Sequence, residues 1–138
     1  MEQNFKNHTR LHPPFHFFAV PAALIALGFG VYEFTTQQDL THALIICGFV
    51  LIAFALAFAR MYALKAQDRA IRAEEKLRYF ILSNKMLPSQ LKTSQLIALR
   101  FASDDELVEL VDKAIAENLS SKEIKMTIKN WKPDYHRV

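Results

Sequence analysis

The sequence predicts an all-α protein: a transmembrane helical hairpin, a long cytoplasmic helix extending its second span, and a small C-terminal helical cap. Two apolar runs of membrane-spanning length lie close together, and helix-capping motifs recur near the C-terminus. Between Phe15 and Ala59 only Glu33 and Asp39 are charged, whereas residues 60–138 carry 26 charges. Such segregation is typical of a chain that lies partly in lipid and partly in water.

We divide the chain of 138 residues into four segments. Residues 1–14 form a cytoplasmic head, and residues 15–59 form the hairpin, with spans at 15–34 and 43–59. Twenty helical residues cover about 30 Å, which is the thickness of the hydrocarbon core of a bilayer. The eight residues between the spans, TTQQDLTH, are too few for anything but an antiparallel return.

The lysines and arginines near the span ends predict the orientation. Lys6 and Arg10 precede the first span, four basic residues lie within residues 60–72 after the second, and the connecting loop has none. Because positive charge accumulates on the cytoplasmic side, both termini are expected to face the cytoplasm.

A cleaved signal peptide is the alternative for the first run, since Gly28-Phe29-Gly30 is a small-x-small triplet after an apolar stretch. The head is sparsely basic and Pro13-Pro14 interrupts it, so the residues favour a retained span.

The second span is predicted to continue as a stalk helix over residues 60–82. Alanine, leucine, lysine, arginine, glutamate and glutamine dominate this segment, and no helix breaker occurs before Ser83 to Pro88. The pairs Asp68 with Arg72 and Glu74 with Arg78 have the i,i+4 spacing that supports an exposed helix. The stalk would extend about 35 Å beyond the membrane.

Apolar residues at alternating spacings of three and four form a narrow seam on the stalk. We call this the alanine seam, and it consists of Ala63, Ala66, Ala70, Ala73, Leu77 and Phe80. Small residues at such positions let another helix approach closely, so the seam predicts a helical partner or a second copy in a parallel coiled coil. Packing on the protein's own C-terminal helices is the alternative.

A basic stripe lies beside the seam and consists of Lys65, Arg69, Arg72 and Lys76. It suits anionic lipid headgroups, an acidic partner or a nucleic-acid backbone. We favour a solvated face that sets the topology, and nucleic acid is a disfavoured partner.

Residues 83–138 are predicted to form a small helical domain. A short helix begins at Thr93 or Ser94, and two capping boxes follow, Ser103 with Glu106 and Ser120 with Glu123. The last helix is expected to carry Trp131 on the stripe of Ile124 and Ile128 and to end at Lys132-Pro133.

No catalytic motif is apparent, so we expect neither an enzyme nor a cofactor, and infer no small-molecule substrate. His8, His12 and His16 recur every four residues, but Pro13 and Pro14 interrupt that spacing, and we assign no metal site. The lone Cys47 lies in an apolar run, where it is a small hydrophobic side chain.

The chain resembles a family of bacterial two-span membrane proteins, domain of unknown function 6526. The matching stretches are QNFKNHTR near the head, HF at His16-Phe17, ALKAQDRAIRAEEKLR at 63–78, LIALRFASDDEL at 96–107 and the closing IKNWKPDYHRV. The resemblance implies an inner-membrane protein of bacteria and brings no activity, cofactor or catalytic residue.

These features together predict a membrane-anchored scaffold, adaptor or accessory subunit that acts through helix–helix contacts. It would be a multi-pass protein of the bacterial inner membrane, bound to membrane lipid and to a helical partner or copies of itself. The alternatives are a membrane-tethered binder of nucleic acid or anionic lipid, and a component of an oligomeric channel or transporter.

Overall fold

The computed structural model describes residues 3–9 and 11–135, which are helical apart from loops and one isolated bridge pair. A π-helical segment, Pro14–Ala19, leads directly into α1, Val20–Thr36. The other helices are α2, Leu40–Ser83; α3, Thr93–Leu99; α4, Asp104–Ala116; and α5, Ser121–Thr127. The all-α prediction is confirmed. Arg10 and residues 136–138, which contribute to the topology argument and the closing motif, lie outside the described residues.

Two compact units divide the chain: residues 11–64 form one, and residues 1–10 with 65–138 form the other. We call them the hairpin unit and the helical unit. The head residues thus belong to the same unit as the C-terminal helices, a grouping that the four sequence segments do not contain.

The connection between α1 and α2 comprises only residues 37–39, because both helices extend beyond the predicted spans. The hydroxyls of Thr35 and Thr36 donate to backbone carbonyls three residues earlier, at 2.6 and 2.8 Å, which prolongs α1. Asp39 starts α2, since its carboxylate accepts the backbone N–H of His42 at 2.8 Å.

Two helices, Pro14–Thr36 and Leu40–Ser83, are long and apolar enough to cross a membrane. In their most apolar 18-residue windows, only 11% and 0% of the residues are buried within the chain. A core helix of a water-soluble protein would be mostly buried, so these helices expose apolar surface on a scale that water does not favour.

Gly30 of α1 faces side chains of α2. A Cβ atom added there would lie 3.5 Å from Ile46 Cγ1, whereas one added at Gly28 meets nothing within 4 Å. We expect Gly30→Phe to force the helices apart and to lower the stability of the hairpin by about 1–3 kcal/mol. The measurement is the unfolding midpoint followed by circular dichroism in a mild detergent.

Gly28→Phe is the matched control, because it adds the same ring two residues away in open space. Gly30→Ala is also expected to be tolerated, since 3.5 Å is an ordinary van der Waals distance. Equal midpoints for Gly30→Phe and Gly28→Phe would contradict this packing.

Helix α2 does not stop where the charges begin. It runs for 44 residues from Leu40 to Ser83 and passes through Arg60 without a break. The predicted continuation is therefore confirmed. Asn84, which has a φ of 53°, ends it in the left-handed conformation that asparagine tolerates.

The core of the helical unit combines α2 with the three short helices. Helix α2 contributes Tyr79 to the buried apolar cluster of this unit. The other members are Ala98, Leu99, Ala102, Leu107, Leu110, Val111, Ala114 and Ile124. The predicted small domain therefore shares its core with the stalk, which supplies apolar area that three short helices lack.

The caps of α4 and α5 follow the predicted boxes. Glu106 accepts the backbone N–H of Ser103 at 3.4 Å and those of Lys129 and Asn130 at 3.0 Å, so it also fixes the segment after α5. Ser120 and Glu123 bond reciprocally, at 2.7 and 3.3 Å. For α3 the cap is Lys92, one residue before the predicted Thr93.

The prediction for Trp131 is wrong in its local structure. Helix α5 ends at Thr127, and Trp131 instead forms an antiparallel bridge with Ala102. The N–H of Lys132 donates to the carbonyl of Phe101 at 2.7 Å. The bridge places the indole on Phe101, with ring centres 4.6 Å apart, so tertiary stacking outweighs continuation of a seven-residue helix.

Candidate interaction surfaces

One face of α2 is buried in the helical unit. Ile71, Glu75 and Tyr79 are its buried residues, and they recur at the four-residue spacing that aligns side chains on a helix. The guanidinium of Arg72, the residue after Ile71, donates a hydrogen bond to Thr93 Oγ1 at 2.9 Å. These contacts fix which side of α2 is covered.

Arg78 links this face to α4. Its guanidinium lies 3.0 Å from the Glu75 carboxylate, 2.6 Å from that of Asp104, and 2.7 Å from the carbonyl of Ala102. The hydrogen bond from Arg78 holds the pKa of Asp104 below its ordinary value. Arg78 therefore contacts Glu75 and Asp104 rather than the predicted partner Glu74.

The alanine seam lies on the other side of α2. Ala66, Ala70, Ala73, Leu77 and Phe80 are exposed and Ala63 is half-buried. The two large members, Leu77 and Phe80, retain 60% and 45% exposure. The buried residues of α2 are a different set, so the protein's own C-terminal helices leave most of the seam uncovered.

Two apolar residues extend this exposed surface and were missed by the seam pattern. Ile81 is 70% exposed and lies four residues after Leu77, on the same face of α2. Met86, in the loop after the helix, is also exposed. The i,i+4 spacing from Leu77 could have identified Ile81 as part of this surface. Nothing in the sequence identified Met86.

The basic stripe occupies a third face. Lys65, Arg69, Arg72 and Lys76 are all exposed, and the hydrogen bond from Arg72 to Thr93 gives that residue a structural contact. The stripe and the seam are thus separate surfaces of one helix.

The head segment packs on the C-terminal tail of the helical unit. Gln3 exchanges two hydrogen bonds with the backbone of Asp134, at 3.3 and 2.8 Å. The His8 ring lies 5.7 Å from the Phe101 ring and 5.8 Å from that of Trp131, and its Nε2 is 3.0 Å from Lys125 Nζ. Sequence reasoning missed this contact, because residues so far apart in the chain carry no joint pattern.

A charged cleft of about 280 Å³ lies between α2 and the closing segment of the helical unit. The buried Arg100 forms an ion pair with Asp134 at 3.2 Å, and Glu75 on the opposite wall pairs with Arg78. The cleft is therefore a place where internal ion pairs join α2 to the tail.

Among residues 3–9 and 11–135, no three histidine, cysteine or acidic side chains are grouped closely enough to hold a metal ion. His16 Nδ1 lies 3.0 Å from the carbonyl of His12, whereas His8 belongs to the head contact. Cys47 is exposed on α2.

Comparison with known proteins matches the chain to a family model. The model of a family of unknown function, DUF6526, covers residues 1–138, which is the full sequence. No curated protein and no solved structure matches the chain. On the strength of that full-length match, the chain belongs to DUF6526, a family of unknown function.

Proposed function

We propose that the protein is a membrane-anchored scaffold or adaptor that binds a helical partner along the alanine seam. The observation that carries the proposal is the exposure of Leu77, Phe80 and Ile81 on a helix whose opposite face is already packed. Apolar side chains of this size at helical spacing suit a second helix, and the alanines below them allow close approach. No catalytic role is part of the proposal.

The membrane placement rests on the hairpin unit. Its two long helices leave their apolar windows almost wholly uncovered, which lipid would satisfy. The head and the C-terminal tail share hydrogen bonds, as expected if both ends of the hairpin emerge on one side. The basic residues near the span ends favour the cytoplasmic side of a bacterial inner membrane.

Disulfide cross-linking tests the seam. In a Cys47→Ala background, Ala70→Cys and Leu77→Cys are expected to form cross-linked species in membranes, because the seam would bring a partner helix within reach. A second copy gives a disulfide-linked product of twice the mass. Another protein is captured by a photoreactive cross-linker attached to the same cysteines, and mass spectrometry identifies it.

Arg69→Cys and Lys76→Cys are the matched controls, because they place an exposed thiol on the same helix but on the basic stripe. We expect their cross-linking to be at least severalfold weaker than that of the seam variants. Equal cross-linking on both faces, or none at either seam position, would contradict the proposed contact surface.

A further inference from the structure

A groove in the hairpin unit lies at the end where the apolar part of α2 meets its first charge. It has a volume of about 330 Å³ and lies between the start of the first membrane-length helix and residues 53–60 of α2. Ala23, Ala53 and Ala57 line it, and their small side chains leave the space open. Phe15 and Leu56 add larger apolar walls.

Arg60 is the charged residue of the groove lining, and its side chain is half-buried. Across residues 3–9 and 11–135, no carboxylate forms an ion pair with Arg60. A guanidinium beside apolar surface is stabilised by a counter-charge, and phosphate is one that arginine binds with two parallel hydrogen bonds. The groove therefore offers an apolar wall and a cation at one end.

We propose that this groove binds one anionic phospholipid, with an acyl chain along the alanines and the headgroup phosphate on Arg60. The occupant follows from the chemistry: an apolar chain joined to an anion matches an apolar groove ending in an arginine. The volume is also within the roughly 300–1,000 Å³ typical of sites for small molecules. The inference rests on the membrane placement proposed above. It adds a lipid ligand that is independent of partner binding at the alanine seam.

Native mass spectrometry of the full chain in mild detergent tests the site. The probes are phosphatidylglycerol and phosphatidylcholine with identical acyl chains, so that only the headgroup charge differs. We expect one phosphatidylglycerol per chain, bound about fivefold more tightly than phosphatidylcholine. Arg60→Gln should abolish this preference, whereas Arg69→Gln, which removes a charge from the stalk, should retain it.

A second variant tests the apolar wall. Ala57→Phe would fill the groove and should weaken the binding of both lipids severalfold, with the fluorescence of Trp131 reporting that the helical unit stays folded. Equal binding of the two lipids by the unmodified chain, or a preference that survives in Arg60→Gln, would overturn the proposal.

Extraction of membranes at alkaline pH separates this inference from the proposed function. Release of the unmodified protein into the soluble fraction would overturn the membrane placement and the lipid site together. A protein that stays in the membrane but shows no lipid preference overturns the lipid site alone.

Discussion

Replacing Phe101 with alanine is expected to lower the free energy of unfolding of the helical unit by about 4 kcal/mol. Phe101 is fully buried, and its ring stacks on Trp131 and meets the edge of His8. Removal of the ring leaves a cavity where the head, the tail and α3 converge. The measurement is a urea titration in mild detergent, followed by the fluorescence of Trp131, the one tryptophan in the sequence.

The same substitution should also release the head, because His8 loses its edge contact with the Phe101 ring. Faster trypsin cleavage after Lys6 would report the release. Phe80→Ala is the matched control: Phe80 belongs to the same unit but is 45% exposed, so its loss should cost less than about 1 kcal/mol. Similar losses of stability for the two variants would contradict the assignment of Phe101 to the core.

Arg78→Ala should destabilise the helical unit by about 3 kcal/mol. The Arg78 and Glu75 side chains are only 13% and 11% exposed, so loss of the guanidinium leaves a mostly buried carboxylate without its partner. It also removes the hydrogen bond to the carbonyl of Ala102. Arg78→Lys should recover only part of the loss, because an ammonium group cannot span three acceptors with the same geometry. The same urea titration measures both variants.

The loss of stability at acid pH is an independent measure of the contact between Arg78 and Asp104. The pKa of Asp104 is lowered below its ordinary 3.8 by Arg78, so its contribution to stability is present above that pH and is lost as the pH falls through the lowered value. In Arg78→Ala, the loss of stability on acidification should be smaller. Lys76→Ala is the control, because Lys76 is exposed on the same helix. It should change neither the stability at neutral pH nor the loss of stability in acid. If Lys76→Ala loses as much stability as Arg78→Ala, the assigned role of Arg78 is wrong.

The position of the buried stripe on α2 decides which surfaces remain for partners. If Ala70 and Leu77 had been buried in place of Ile71 and Tyr79, the seam would be core and the scaffold proposal would have no surface. The buried stripe and the seam are centred roughly 180° apart about the helix axis. The cross-linking comparison described above tests whether the exposed seam, rather than the basic stripe beside it, faces the partner.

Local chemistry made much of this protein predictable from its sequence. The apolar runs, the unbroken run of helix formers through Arg60 and the capping boxes at Ser103 and Ser120 each depend on neighbours within four residues. Helices form and end through such short-range contacts, so α2 and α4 could be placed with small errors at their ends. For α5 only the start was predicted correctly, because the helix ends at Thr127, before Trp131. The loop between α1 and α2 was overestimated because threonine hydroxyls bonding back along α1 are not visible as a pattern.

Tertiary structure alone decided which face of each element is covered. Ile71 and Ala70 are neighbours in sequence and both apolar, so only packing against α3–α5 distinguishes the core residue from the exposed one. Trp131 left the predicted helix because Phe101 offers a stacking partner 4.6 Å away, and the head joined the tail through Gln3 and Asp134. Such contacts join residues from about thirty to 131 positions apart. The free energy of these contacts depends on the complete fold, so local sequence patterns do not predict them.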